Sequence, residues 1–153
     1  MSESPSSPDV AQIERLVHAY TQHVAAGDLE SVADLFVHGG VSGDAHPEPA
    51  MGRAAVRELY AATLASGGEG PRRLRVVTTD LEIDIDSAAS TATCASRFVV
   101  YPSDPNVTDT VLFEGRYLDQ FALFDGKWAF TRRHVALDVT NHDAVQREGV
   151  QLG

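Results

Sequence analysis

The sequence predicts an α+β domain in which three N-terminal helices pack on one face of a sheet of four long antiparallel strands. Three observations carry this. Apolar residues recur at helical spacing up to about Ser66, and at alternate positions from Leu74 onward. The run Gly67-Gly68-Glu69-Gly70-Pro71 separates the two regimes. Asp125-Gly126 lies between two alternating runs, and both central positions of a type I′ turn need positive φ.

Ser7-Pro8-Asp9 starts the first helix with a capping hydroxyl, a proline whose missing N–H is no loss, and an acid at the positive dipole end. Val10, Ile13, Leu16, Val17, Tyr20 and Val24 form its apolar stripe, and Gly27 ends it. Asp28 caps a second helix that buries Val32, Leu35 and Phe36 and stops at Gly39-Gly40. Val41 to Ala50 reads as a short strand or loop holding Asp44 and His46. A third helix spans about Arg53 to Ser66 and buries Val56, Leu59, Tyr60, Thr63 and Leu64.

Leu74 to Asp86 is the first long strand, with Arg75, Val77, Thr79, Leu81, Ile83 and Ile85 on one face. That phase points Arg75 inward, where a guanidinium needs an anion: Asp119, another acid or a ligand carboxylate. Thr91 to Tyr101 is the second, with Ala92, Cys94, Ser96, Phe98 and Val100 sharing a face. Thr108 to Phe124 and the segment after Gly126 form the hairpin. A two-residue turn pairs residue i with residue 251 minus i. Leu123 then faces Trp128, Phe121 faces Phe130, Asp119 faces Arg132 and Tyr117 faces His134, all on one face. Arg116, Gln120, Lys127 and Arg133 take the other. A three-residue turn with a bulge sets Asp119 against Arg133 instead, and both registers stay open.

The 153 residues suffice for one domain with a real core, expected over 8–140, with 1–7 and 141–153 poorly ordered. A net charge of −10 argues against nucleic acid and anionic membranes as partners. The single Cys94 fits a reducing compartment and no disulfide framework. With no bilayer-length apolar run and no signal-like N-terminus, a cytoplasmic protein is expected. No phosphate loop, dinucleotide fingerprint or nucleophile elbow occurs, so no cofactor is expected. His38, Asp44 and His46 sit on no regular element that would fix metal geometry, and no metal is expected either.

An apolar wall that ends in convergent polar groups is how a small-molecule pocket looks. Phe36, Phe98, Phe121 and Phe130 are its apolar lining, and His23, Arg75, Tyr117, Arg132 and His134 its polar members. Tyr20 is either a satisfied core tyrosine or a pocket donor. His23, one turn on, is a surface histidine or a pocket base. Tyr117 with His134 closes the cone or supplies an acid or base. Cys94 reads as a buried small hydrophobe.

Tyr20, Gly27-Asp28, Leu35-Phe36, Gly52, Gly115-Arg116-Tyr117-Leu118-Asp119, Gly126-Lys127-Trp128-Ala129-Phe130 and Arg133 together resemble the nuclear transport factor 2-like superfamily. The closer likeness is to its SnoaL-like branch of polyketide cyclases, over roughly Val10 to Val139. The resemblance implies a curved sheet wrapped around the helices as a cone with a deep pocket, and frequent homodimers. A narrower similarity is to ketosteroid isomerases, on Tyr20 eight residues before Asp28, Asp44 eight after Phe36, and Asp119 two before Phe121. That similarity implies Asp44 as the base removing a proton α to a carbonyl, with Tyr20 and a protonated Asp119 holding the enolate oxygen. An arginine beside Asp119 would favour the carboxylate, which cannot donate. His23 stands where SnoaL-like relatives often carry an acid, and Arg75 where they often carry a histidine.

The expected function is cofactor-free acid–base chemistry, of isomerase, cyclase or dehydratase type, on a small apolar carbonyl compound. The competing readings are a non-catalytic ligand-binding or dimeric assembly module, and a partner like the small subunit of ring-hydroxylating dioxygenases.

Overall fold

The computed structural model describes residues 8–44, 46–63, 74–102, 111–141 and 143. Helix α1 (Pro8–Ala26) buries Ile13, Val17, Tyr20, Thr21 and Val24, the expected stripe. Its capping Ser7 lies outside the described residues. Gly27, at φ 71°, ends the helix, with the N–H of Asp28 bonded to the His23 carbonyl and that of Gly27 to Val24. Only glycine takes this left-handed position without steric cost. Helix α2 (Leu29–Asp34) is capped by Asp28, whose carboxylate accepts from the Ser31 N–H at 3.1 Å. It ends earlier than predicted, and Phe36 is buried from the turns that follow.

Strands β1 (Gly40–Gly43) and β2 (His46–Met51) form a short antiparallel pair where a strand or loop was expected. Helix α3 (Gly52–Thr63) follows, and the predicted turn beyond it falls outside the described residues. The four long strands are β3 (Leu74–Asp86), β4 (Thr91–Pro102), β5 (Phe113–Phe124) and β6 (Lys127–Thr140). The sheet order is β2-β1-β6-β5-β4-β3, with β1 parallel to β6 and every other pair antiparallel. The parallel junction places Ser42 beside His134 and makes β6 an interior strand.

Two bulges correct the predicted faces. In β3, Asp80 takes φ 58° and the pairing jumps from Thr79↔Arg97 to Glu82↔Ala95. The extra residue reverses the alternation, because side chains repeat every two residues. Leu74, Val76 and Thr78 therefore point inward before the bulge, and Leu81, Ile83 and Ile85 after it. Arg75 and Val77, expected inside, lie on the outer face, and the Arg75 guanidinium rests 4.0 Å from the Tyr101 ring centroid. Thr78 instead reaches Thr21 on α1, oxygen to oxygen at 2.7 Å.

In the hairpin, Asp125 and Gly126 do form a two-residue turn with both φ positive, at 51° and 79°. Leu123↔Trp128 and Phe121↔Phe130 pair as expected. Thr131 is then an extra residue, and the next pairs are Gln120↔Arg132 and Asp119↔Arg133. The outcome of the second register thus arises with the turn of the first. Arg133 is buried rather than solvated, Arg132 lies outside, and Tyr117 faces Val135, not His134.

Candidate functional site

The interior of the cone holds an ion pair rather than an open pocket. Arg133 Nε and Nη2 donate to the two oxygens of Asp119 at 2.6 and 2.7 Å, and both side chains are fully buried. A planar guanidinium matches a carboxylate in this two-point fork. Its faces rest on aromatic rings, 3.8 Å from the Tyr117 centroid and 4.1 Å from that of Tyr20. Phe98 stacks on Tyr117 at 4.3 Å, and Phe36 and Phe121 pack on Phe130 at 4.9 and 4.6 Å. Burial pushes the Asp119 carboxyl above its ordinary value, against the opposing pull of Arg133. Burial alone would lower Arg133, but Asp119 and the surrounding phenols hold it above the usual arginine value. Arg133 keeps its proton, since a guanidinium does not give it up in a protein, and both Asp119 oxygens accept from it.

Tyr20 hydrogen bonds to Tyr60 of α3, hydroxyl to hydroxyl, each able to be the donor. Burial raises all three interior phenols, Tyr20, Tyr60 and Tyr117, above the ordinary tyrosine value, with Arg133 opposing. They stay protonated at neutral pH. Tyr60 also lines a small, partly open cavity of about 10 Å³, shared with Val41, Ser42, Gly43, His46, Leu59, Thr63 and Val135. That is room for about one water. Two buried polar atoms of the described interior, Ser96 Oγ and Arg133 Nη1, have no hydrogen-bond partner.

A second polar cluster lies across the sheet from Arg133. His134, next in sequence, takes the opposite face because successive side chains alternate. Its Nδ1 is 2.9 Å from Ser42 Oγ, and its Nε2 is 3.3 Å from Asp44 Oδ1. Asp44 Oδ2 accepts the Leu137 N–H at 2.8 Å. That backbone bond and His134 hold the Asp44 carboxyl below its ordinary value.

The residues singled out in the sequence therefore fall into separate groups. Tyr20, Tyr117, Asp119 and the four phenylalanines meet in the interior. Asp44 and His134 meet on the other side of β6, so they do not share a cavity with Tyr20 and Asp119. His23 is half-buried in the last turn of α1, where its charge bears on Asp28. His38 stacks on Phe124, 4.0 Å between centroids, away from Asp44 and His46. Cys94 is buried and its thiol pushed up to about 12, chiefly by desolvation. Sequence reasoning missed Tyr60, which looked like one apolar position among several on α3. Its helical phase gives no sign that the hydroxyl meets Tyr20 from 40 residues away.

Comparison with known proteins agrees with this architecture. Residues 5–134 match the family model of the SnoaL-like domain. No curated protein matches the chain. Among solved structures, a variant of Rv3472 from Mycobacterium tuberculosis, a protein of unknown function, is 26% identical with a TM-score of 0.72, over 94% of this chain and 78% of that one. An NTF2-like protein with a cystatin-like fold from Novosphingobium aromaticivorans is 22% identical with a TM-score of 0.69, over 94% and 90%. A protein named "Putative Scytalone Dehydratase" from the same organism is 25% identical with a TM-score of 0.67, over 87% and 86%. With 130 of its residues under the family model and this curved sheet beneath it, the chain belongs to the SnoaL-like domain family.

Proposed function

We propose that this SnoaL-like protein performs cofactor-free acid–base chemistry, of dehydratase, isomerase or cyclase type, on a small apolar carbonyl compound of which only the carbonyl oxygen enters the water-sized cavity at the α3–β1 end of the cone. The observation that carries the reading is the polar chain from Asp119 through Arg133 and Tyr20 to Tyr60, which ends at a cavity wall. When Tyr20 donates to Tyr60, the Tyr60 proton is left for a ligand oxygen. A buried cation behind two phenols stabilises negative charge that develops on that oxygen, in surroundings where water does not screen it. His46 borders the same cavity and is the proton-transfer group of the reading. The dehydratase-named neighbour lends the reaction type, at 25% identity. Asp44, the base that the isomerase likeness implied, is occupied by Leu137 and His134 and has no role in this scheme.

The test is turnover of a panel of hydroxyketones and polyketide-like ketones by the protein and by its Tyr60→Phe and His46→Gln variants. Each substitution is expected to lower kcat by about 10²-fold or more. Turnover that neither variant alters would overturn the assignment.

A second reading, a binding or assembly module, is favoured by one observation. Both Asp119 oxygens are taken by Arg133, which fills the place of a deep pocket. It expects ligands that raise the melting temperature without any product, and product in the same samples would exclude it.

A further inference from the structure

The cluster of Ser42, His134 and Asp44 lies outside the interior chain of phenols, and the scheme above does not use it. The three side chains come from β1, β6 and the turn after β1, and the parallel β1–β6 register sets Ser42 directly beside His134. The order of contacts is hydroxyl, imidazole, carboxylate, at 2.9 and 3.3 Å.

Charge decides the direction of these bonds. Asp44 uses Oδ2 for a backbone N–H and turns Oδ1 to the ring, so the ring nitrogen facing it, Nε2, carries the proton. In the neutral imidazole Nδ1 is then the lone-pair nitrogen, and it faces Ser42 Oγ. The serine hydroxyl therefore donates to a base whose tautomer a carboxylate has fixed. That is the logic of a nucleophilic triad, with the two ring nitrogens exchanging their usual places. Ser42 and Gly43 also stand at the wall of the small, partly open cavity, beside Val41, Leu59 and Val135. His134 is about a third exposed, its side chain at 35%, so the cluster reaches the surface.

We propose that Ser42, His134 and Asp44 form a second, hydrolytic centre, in which Ser42 is the nucleophile toward esters of short uncharged acyl groups. Ser42 Oγ attacks the carbonyl carbon, and its proton passes to His134 Nδ1. The carbon–oxygen bond to the alcohol breaks, and His134 returns the proton to the leaving oxygen. Water then attacks the acyl-serine with His134 as base, releasing the acid and restoring the hydroxyl. Ser42 is itself only 3% exposed, so slim acyl groups are the substrates and bulky ones are refused.

The experiment treats the whole protein with methanesulfonyl fluoride, a slim serine reagent, and follows p-nitrophenyl acetate hydrolysis in parallel. Peptide mass mapping is expected to place the methanesulfonyl label on Ser42. Ester hydrolysis is expected to fall at least tenfold in Ser42→Ala, and to fall in His134→Gln and Asp44→Asn. Label on tyrosines alone, or undiminished hydrolysis by folded Ser42→Ala, would overturn the proposal. Should Ser42→Ala not fold, Ser42→Cys in a Cys94→Ala background takes its place. Its thiol is expected to react with iodoacetamide faster than when His134→Gln is added, and equal rates would count against the triad. No ketone enters these assays, so their failure leaves the interior reading standing, and the converse holds.

Discussion

Asp119 and Arg133 face each other across β5 and β6 one residue out of the register that the Asp125-Gly126 turn sets, because Thr131 is inserted between Phe130 and Arg132. The pair is buried, joined at two points and sandwiched by Tyr20 and Tyr117. Arg133→Ala would leave a carboxylate buried without its cation, at a cost of about 3–5 kcal/mol. Asp119→Ala should cost a similar amount. The double variant Asp119→Leu with Arg133→Met removes both charges and keeps the volume, and should recover most of that loss. Urea unfolding of the four proteins measures this. Additive losses in the double variant would show that the pair is not coupled.

Acid should unfold the protein earlier than its core alone would dictate. Asp28, Glu30 and Asp44 are all held below their ordinary values of 3.8, 4.5 and 3.8, by Ser31, by Arg53 with Arg57, and by Leu137 with His134. A lowered carboxyl binds fewer protons folded than unfolded, so its contribution is present above the ordinary value and is lost as pH falls through the lower, folded one. Denaturation midpoints should therefore drop as pH falls from about 5 to 3. The drop should be shallower in Asp44→Asn. An identical slope in the variant would remove Asp44 from this account.

Cys94 should be silent toward thiol reagents. Its thiol is pushed up to about 12 by desolvation, and the thiolate is the reactive form. At pH 8 a chromogenic disulfide should label it at least tenfold more slowly in the folded protein than in urea. Equal rates would mean that β4 opens freely.

Gly39→Ala should destabilise by about 2 kcal/mol or more, an overpacking cost. A Cβ at that position meets the backbone of Phe130 and Thr131, which has no rotamer by which to move away. Thermal melting of this variant beside Ala129→Gly, on the same strand, separates a steric cost from general sensitivity of β6.

Much of the fold was legible because it rests on periodicity and on turn chemistry. Gly27 and Asp125-Gly126 fall where only positive φ serves, and the switch from helical to alternating spacing marks where β3 begins. What stayed hidden turns on single inserted residues. Asp80 and Thr131 each add one residue to a strand, and neither leaves a mark in the amino-acid pattern. Yet Asp80 decides that Arg75 faces outward, and Thr131 decides that Arg133, not Arg132, is inside. The candidate site was partly legible for the same reason. Tyr117 and Asp119 were placed correctly on the inner face because β5 keeps its alternation throughout, and Tyr20 because it falls on the buried stripe of α1. Asp44 and His134 were singled out, but their meeting on the far side of β6 depends on the bulge. Ser42 gave no signal, since a serine between Val41 and Gly43 carries no periodic information.

The bulge at Thr131 also chooses what kind of charge the interior contains. Without it, alternation along β6 would turn Arg132 and His134 inward, and the centre of the cone would hold an imidazole as well as a guanidinium. With it, the inward basic group is Arg133 alone among these three neighbours, a cation at every pH the folded chain meets. The titratable ring is delivered to the other face. One inserted residue thus gives the protein an interior whose cation does not answer to the acidity of its surroundings, and leaves the imidazole outside it.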